Sequence, residues 1–155
     1  MDIDIPWFEE NVLLHKLRAD ERQLLQEVFE VREYAAGDEI VTQGATAGGI
    51  HILYSGTAAI TCRMPEMTVY LDEAGEGALF GEMTFLSGGD ATATVTAHSH
   101  CVVYRMGRHG YYQLIVRNKE MLICLFTYML SRTAESIQHM NRQQMRILRH
   151  RTKTA

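Results

Sequence analysis

No two cysteines of this chain stand at the spacing of a disulfide framework or of a zinc or iron–sulfur site. Cys62, Cys101 and Cys124 are odd in number and far apart, so they read as buried free thiols. Only two prolines occur, the glycines are dispersed and charged residues make up 22%, which excludes collagen-like, low-complexity and disordered classes. A membrane-length run is also missing. The longest apolar stretch, MLICLFTYML from Met121 to Leu130, is roughly half of the ~20 residues a spanning helix needs, and reads as a buried helix. Asp2 and Asp4 stand where a secretory signal would carry basic residues, so a cytoplasmic location without a membrane partner is expected. Neither a Ser/His/Asp order nor a Walker loop nor a carboxylate pair in a motif context is found, and no enzyme is expected.

What is present fits one core: 155 residues, 46% of them hydrophobic, expected to form a single domain over 1–155. Charge is divided unevenly. Residues 1–116 hold 7 Lys/Arg against 17 Asp/Glu, whereas 117–155 hold 8 against 2. The chain is an acidic body with a basic tail, which reads as a solvated helix complementing its own body, with nucleic acid or an acidic protein surface as the alternative.

LRADERQLLQEVF offers Asp20 as an N-cap and Leu24, Leu25 and Val28 at helical spacing, predicting a helix over 19–28. From Val31 the pattern becomes short Val/Ile/Tyr/Thr runs punctuated by glycine. It predicts strands at 31–34, 39–42, 49–54, 57–62, 68–71, 93–97 and 101–106. The expected class is mainly β with flanking helices: an antiparallel, jelly-roll-like β-roll over 31–106, helices over 107–150, and a long last helix. Ile123, Phe126, Leu130, Thr133, Ile137, Met140, Gln144 and Ile147 follow a three-four spacing, a coiled-coil seam predicting a homodimer, with Gln144 fixing register.

Two stretches carry a resemblance. YAAGDEIVTQGATAGGIHILYSGTAAI is similar to the glycine-punctuated first half of a cyclic nucleotide-binding domain, and LDEAGEGALFGEMTFL to the lead-in of that family's phosphate-binding cassette. The likeness runs from about residue 10 to 140, and the layout resembles the sensor half of catabolite-activator-type transcription regulators. Physically, Gly77, Gly81 and the segment after Glu82 form a tight turn feeding a short helix, whose free N–H groups suit an anion. The Glu82 carboxylate either caps that backbone or accepts from a ribose hydroxyl. The resemblance implies the ribose role. It also implies a ligand set of Phe80, Gly81, Glu82, Met83, Ala91, Thr92 and Ala93 in a cassette over 77–97, with base contacts from Thr127, Ser131, Arg132 or Thr133 and parallel dimerisation through the last helix. Where the family usually delivers an arginine to the phosphate, this chain has Ala91, preceded by Asp90. That arginine forks onto phosphate through charge-assisted hydrogen bonds worth roughly 1.5–3 kcal/mol.

Three readings follow. In one, a regulatory sensor binds cAMP or cGMP weakly, helped by Arg63 or Arg132 reaching in, and signals through its dimer helix. In another, the pocket has been adapted to a different or less anionic molecule. In the third, the roll is a ligand-free dimerisation or protein-interaction module with a vestigial pocket. The regulators it resembles continue into a helix-turn-helix, whereas this sequence stops at Ala155, so a stand-alone sensor working through a partner protein, without sequence-specific DNA binding, is expected. Arg142, Arg146, Arg149 and Arg151 read as a solvated face. His98, His100 and Cys101 read as a surface hairpin turn, with a metal or haem role as the minor alternative. His51 reads as a packed or surface side chain, and the methionines as core filler. A cupin-type metalloenzyme would need clustered His and Glu ligands that are not seen.

Overall fold

The computed structural model describes residues 2–46 and 48–153, and among these the side chains at 143, 144 and 146–153 are not described. Gln144 and Ile147 of the expected seam, and Arg146, Arg149 and Arg151, are therefore outside the described side chains.

Eight strands form two antiparallel sheets: β1 (Glu30–Tyr34), β2 (Glu39–Val41), β3 (Ile50–Ser55), β4 (Ala58–Arg63), β5 (Thr68–Ala74), β6 (Leu79–Phe80), β7 (Thr94–Ala97) and β8 (Cys101–Met106). One sheet runs β1-β8-β3-β6, the other β2-β7-β4-β5. The chain is mostly antiparallel sheet with flanking helices, a β-roll with a long C-terminal helix. The period-two alternation of strands sorts side chains into two cores. On β3 and β8, Leu53, Cys101 and Val103 face Ala58, Val95 and Ala97 of the other sheet inside the roll. Ile50, Ile52, Tyr104 and Met106 point the other way, into a second core shared with the helices.

The helices are α1 (Ile5–Phe8), followed by a π-helical turn (Glu9–Leu13), then α2 (Ala19–Val28), α3 (Glu82–Ser87), α4 (Arg108–Arg117) and α5 (Lys119–Lys153). The first is absent from the sequence reading because its signal is tertiary. Asp4 caps it by accepting from the Trp7 N–H at 3.0 Å, and Tyr54 Oη donates to the same carboxyl at 2.8 Å. At α2 the capping expectation is corrected. Asp20 lies inside the first turn and Arg18 is the N-cap, because the Glu21 carboxylate, three residues on, accepts from the Arg18 N–H at 2.9 Å. The missed strand β6 has only two residues, too short to show alternation.

Helix α5 starts where the Asn118 side chain accepts from the Met121 N–H at 2.9 Å. Met121, Leu125, Tyr128 and Met129 bury one face against the body. On the other side Ile123 (63%), Leu130 (73%), Ile137 (48%) and Met140 (42%) are exposed. Phe126 and Thr133, expected in the same seam, turn partly inward: Phe126 packs at the edge of the helical core, and Thr133 reaches the cassette.

Of the three cysteines, all free, only Cys101 is buried; Cys62 and Cys124 are half-buried, which corrects the uniform expectation. Cys62 lies near the C-terminal end of β4 and Cys124 on α5, and neither side chain is fully enclosed. His98 and His100 lie on the exposed turn between β7 and β8, near Glu73 at 3.8 Å and Glu33 at 3.3 Å.

Candidate functional site

The site is built from the turn between β6 and α3, the loop before β7, and the middle of α5. Gly81 has φ of 77°, and a Cβ there would meet the Gly49 carbonyl oxygen at 2.7 Å, so the turn requires glycine on both counts. It delivers Glu82 to the first position of α3. Burial raises the Glu82 pKa above the ordinary carboxylate range, against the opposing pull of its own N–H, the Thr133 hydroxyl and the Met83 N–H. Thr133 Oγ1 donates to Glu82 Oε1 at 3.2 Å. One residue of the last helix thus holds the carboxylate that heads the short one.

On the opposite wall Ala91 is buried. Its N–H donates to the Ala45 carbonyl at 2.9 Å and its carbonyl accepts from the Gly44 N–H at 2.8 Å. A small cavity of about 150 Å³ lies between the two walls, lined by Val41, Ile60, Leu79, Phe80, Gly81, Glu82, Met83, Thr84, the 91–93 loop and Val95. Glu82 is its one charged side chain among the described residues. Neither Arg63 nor Arg132, the expected substitutes, lines it. Arg63 is exposed at the end of β4, its N–H bonded to the Gln43 side chain. Arg132 donates to Glu135 at 2.9 Å and stacks over the Tyr128 ring at 5.3 Å.

Beyond Glu82 the space opens into a groove of about 440 Å³ between the roll and α5. Its walls carry Asp72, Glu73, Glu76, Glu82 and Glu135 against Arg132, Arg142 and His139. The acidic side is further committed, since His139 lies 3.5 Å from Asp72. The buried Tyr128 hydroxyl donates to the Gly77 carbonyl at 2.6 Å, tying α5 to the turn that leads into the cassette. Sequence reasoning missed Tyr128, whose aromatic ring within an apolar run carries no sign of a polar partner 51 residues away.

Phe80, Gly81, Glu82, Met83, Ala91, Thr92 and Ala93 are therefore brought together around one cavity. Among the expected base contacts, Arg132 and Thr133 line the groove. Thr127 and Ser131 face a separate recess toward Asn11 and Leu14, and the Thr127 hydroxyl donates back to the Ile123 carbonyl. Among the described residues no group of three or more His, Cys, Asp or Glu is placed to hold a metal, and no helix is long and apolar enough to cross a membrane.

Comparison with known proteins places this geometry. The family model for the cyclic nucleotide-binding domain matches residues 31–118. A cAMP-dependent protein kinase regulatory subunit from Aspergillus fumigatus is 30% identical over 109 residues, covering 70% of this chain and 26% of its own length. The chain thus spans about a quarter of that relative. A cyclic nucleotide-binding domain from Methylobacillus flagellatus superposes with a TM-score of 0.73 at 19% identity, covering 92% of this chain and 87% of that one. The regulatory subunit of a cAMP-independent protein kinase A from Trypanosoma brucei gives 0.67 at 21% identity, covering 93% and 50%; that structure is a triple mutant, one change of which installs an arginine, bound to cAMP. Both kinase relatives are regulatory subunits.

Proposed function

Because the chain belongs to the cyclic nucleotide-binding domain family, we propose that it is a regulatory sensor module whose groove takes an uncharged, ribose-bearing ligand in preference to cAMP or cGMP. The observation that carries this is the wall at Ala91. Around it the cavity is lined mostly by apolar side chains with Thr84 and Thr92, its one charged side chain among the described residues is the Glu82 carboxylate, and the adjoining groove is richer in acids than in bases. Without a cation, a phosphate loses its charge-assisted fork and meets like charge instead. A ribose loses nothing of the kind, since its hydroxyls donate to Glu82 whether or not a phosphate is attached. The T. brucei regulatory subunit supports this direction: described as cAMP-independent, it holds cAMP in a mutant that gains an arginine.

Output runs through α5. Thr133, on the same helix but turned toward the body, donates to Glu82, so a ligand competing for that carboxylate releases a side chain of the dimer helix. The unpartnered row of Ile123, Leu130, Ile137 and Met140 supports a parallel homodimer through this helix. A cytoplasmic module over 1–155, acting on a partner protein, completes the reading.

The second reading, a ligand-free interaction module, is favoured by one feature: the Glu82 carboxylate already accepts from Thr133 of the last helix. Calorimetry separates the two. Adenosine, guanosine, cAMP and cGMP are titrated to millimolar concentration into the protein and into Glu82→Ala. Saturable heat from at least one nucleoside, lost in Glu82→Ala and tenfold or more weaker for the matching cyclic nucleotide, is the expected result. Tighter binding of the cyclic nucleotide would overturn the preference, and no heat from any of the four would leave the interaction module.

A further inference from the structure

The inside of a β-roll is ordinarily filled by apolar side chains, and here one end of it is not. Register places Glu30 of β1, Arg105 of β8 and His51 of β3 side by side in one row across the sheet. By the two-residue period they point inward, on the same face as Val103 and Leu53 of the core. Arg32, one step along on β1, shares that face. The Glu30 carboxylate accepts from Arg105 and, at 3.1 Å, from Arg32; two guanidiniums share one carboxylate, and one positive charge is left over. Arg105 also donates to the Gly48 carbonyl, which pulls the glycine-rich loop over the row. A cavity of about 230 Å³ remains beneath it, lined by Arg32, Arg105 and His51 together with Tyr34, Thr84 and Ala91, and by no carboxylate among the described lining residues.

The unexpected member is His51. It is 6% exposed, and its Nδ1 is buried without a hydrogen-bond partner among the described residues. Such an atom costs about 1–3 kcal/mol when nothing satisfies it, and native folds carry few of them. Burial and the neighbouring Arg105 lower its pKa to about 4, with the Phe80 backbone pulling the other way and Arg32 adding to the lowering. The ring is therefore neutral near neutral pH, and the two arginines carry the charge of the cavity.

We propose that this end of the roll is a second ligand site, behind the cassette and separate from the Glu82 cavity, which takes a small oxyanion, a carboxylate or inorganic phosphate, on Arg32, Arg105 and the His51 imidazole. The volume admits a molecule of a few heavy atoms and excludes a nucleotide. The guanidiniums supply the charge and the planar donor forks that oxyanions match. Nδ1 meets the ligand as a donor, in the neutral tautomer that carries its proton there or once the imidazole is protonated, which an adjacent anion favours, or as acceptor of an acidic hydroxyl such as that of hydrogen phosphate. The site also has a route to the cassette, because Val41, Gly81, Thr84 and Ala91 line both cavities. It stands whether or not the cassette binds a nucleoside.

The test reads the imidazole directly. The 155-residue chain with ¹⁵N-labelled histidine is titrated at constant ionic strength and fixed pH with acetate, with inorganic phosphate, and with chloride as the control, and the His51 ring nitrogens are followed by NMR. A saturable shift with acetate or phosphate and not with chloride is expected, at least tenfold weaker in Arg32→Gln. Arg32 is half-exposed and its loss leaves the Arg105–Glu30 contact in place, so that variant is expected to keep its fold. The selectivity of the unmodified protein over chloride is an independent reading should it not. Identical responses to all three anions, no saturation, or an unchanged affinity in Arg32→Gln would each overturn the proposal.

Discussion

At the residue scale, three carboxyls and an imidazole show how environment assigns roles to side chains that a sequence presents as equals. Glu82 is pushed up by burial, Glu21 is held down by the Arg18 N–H it caps, and Glu9 is held down further, to about 2. The causes at Glu9 are the Leu17 N–H at 3.0 Å and then Lys16 and Arg22, each at 3.0 Å. A carboxyl lowered in the folded state contributes stability that is complete above its ordinary 4.5 and is lost as pH falls toward the folded value. The melting temperature of Glu9→Gln is thus expected to lie below that of the parent at neutral pH, with the gap closing between about pH 5 and about pH 2. A gap that stays constant across that window would show that Glu9 acts by packing and not by charge. His51 has the opposite charge type and the same sign of linkage: its lowered pKa makes the fold lose stability as pH drops through the range between its ordinary value and about 4.

At the element scale, α5 is where sequence and structure part most instructively. A three-four pattern states which residues share a stripe, but a stripe has two edges. Here the body takes one edge, through Phe126 and Thr133, and leaves the other exposed. If the exposed edge is a dimer seam, Leu130→Glu combined with Ile137→Glu is expected to convert a dimer into a monomer in sedimentation, with helical content little changed because both side chains already face solvent. A parent protein that sediments as a monomer at all concentrations would remove the dimer from the account. The strands were legible because alternation and glycine punctuation are local signals, and the turn at Gly81 and Glu82 was legible through the resemblance of LDEAGEGALFGEMTFL to the family's cassette. Helix α1 was not, since its cap works through Tyr54 and Tyr104. Nor was the polar end of the roll. His51 sits within IHILYS, where one polar residue in an apolar strand looks the same whether it faces solvent or the interior; only the register against Arg105 decides it.

At the scale of the whole molecule, the acidic body and basic tail foreseen from charge counts prove to be spatially interleaved. The groove at the heart of the candidate site is formed where the acidic β4–β6 segment meets Arg132, His139 and Arg142 of the last helix. Of these, Arg132 pairs with Glu135 on its own helix, and His139 reaches across to Asp72 of the roll. On the proposed reading, this is a family scaffold in which Ala91 leaves the phosphate end without a cation while Glu82 keeps a carboxylate at the ribose end. If the missing charge at Ala91 alone sets that preference, restoring it should restore the nucleotide. The decisive measurement is the cAMP affinity of Ala91→Arg against that of the natural sequence, by calorimetry at the same salt. A gain of about ten- to a hundredfold, the worth of one charge-assisted fork to phosphate, is predicted. An unchanged affinity in Ala91→Arg, or a natural protein that already binds cAMP as tightly as the variant, would contradict it.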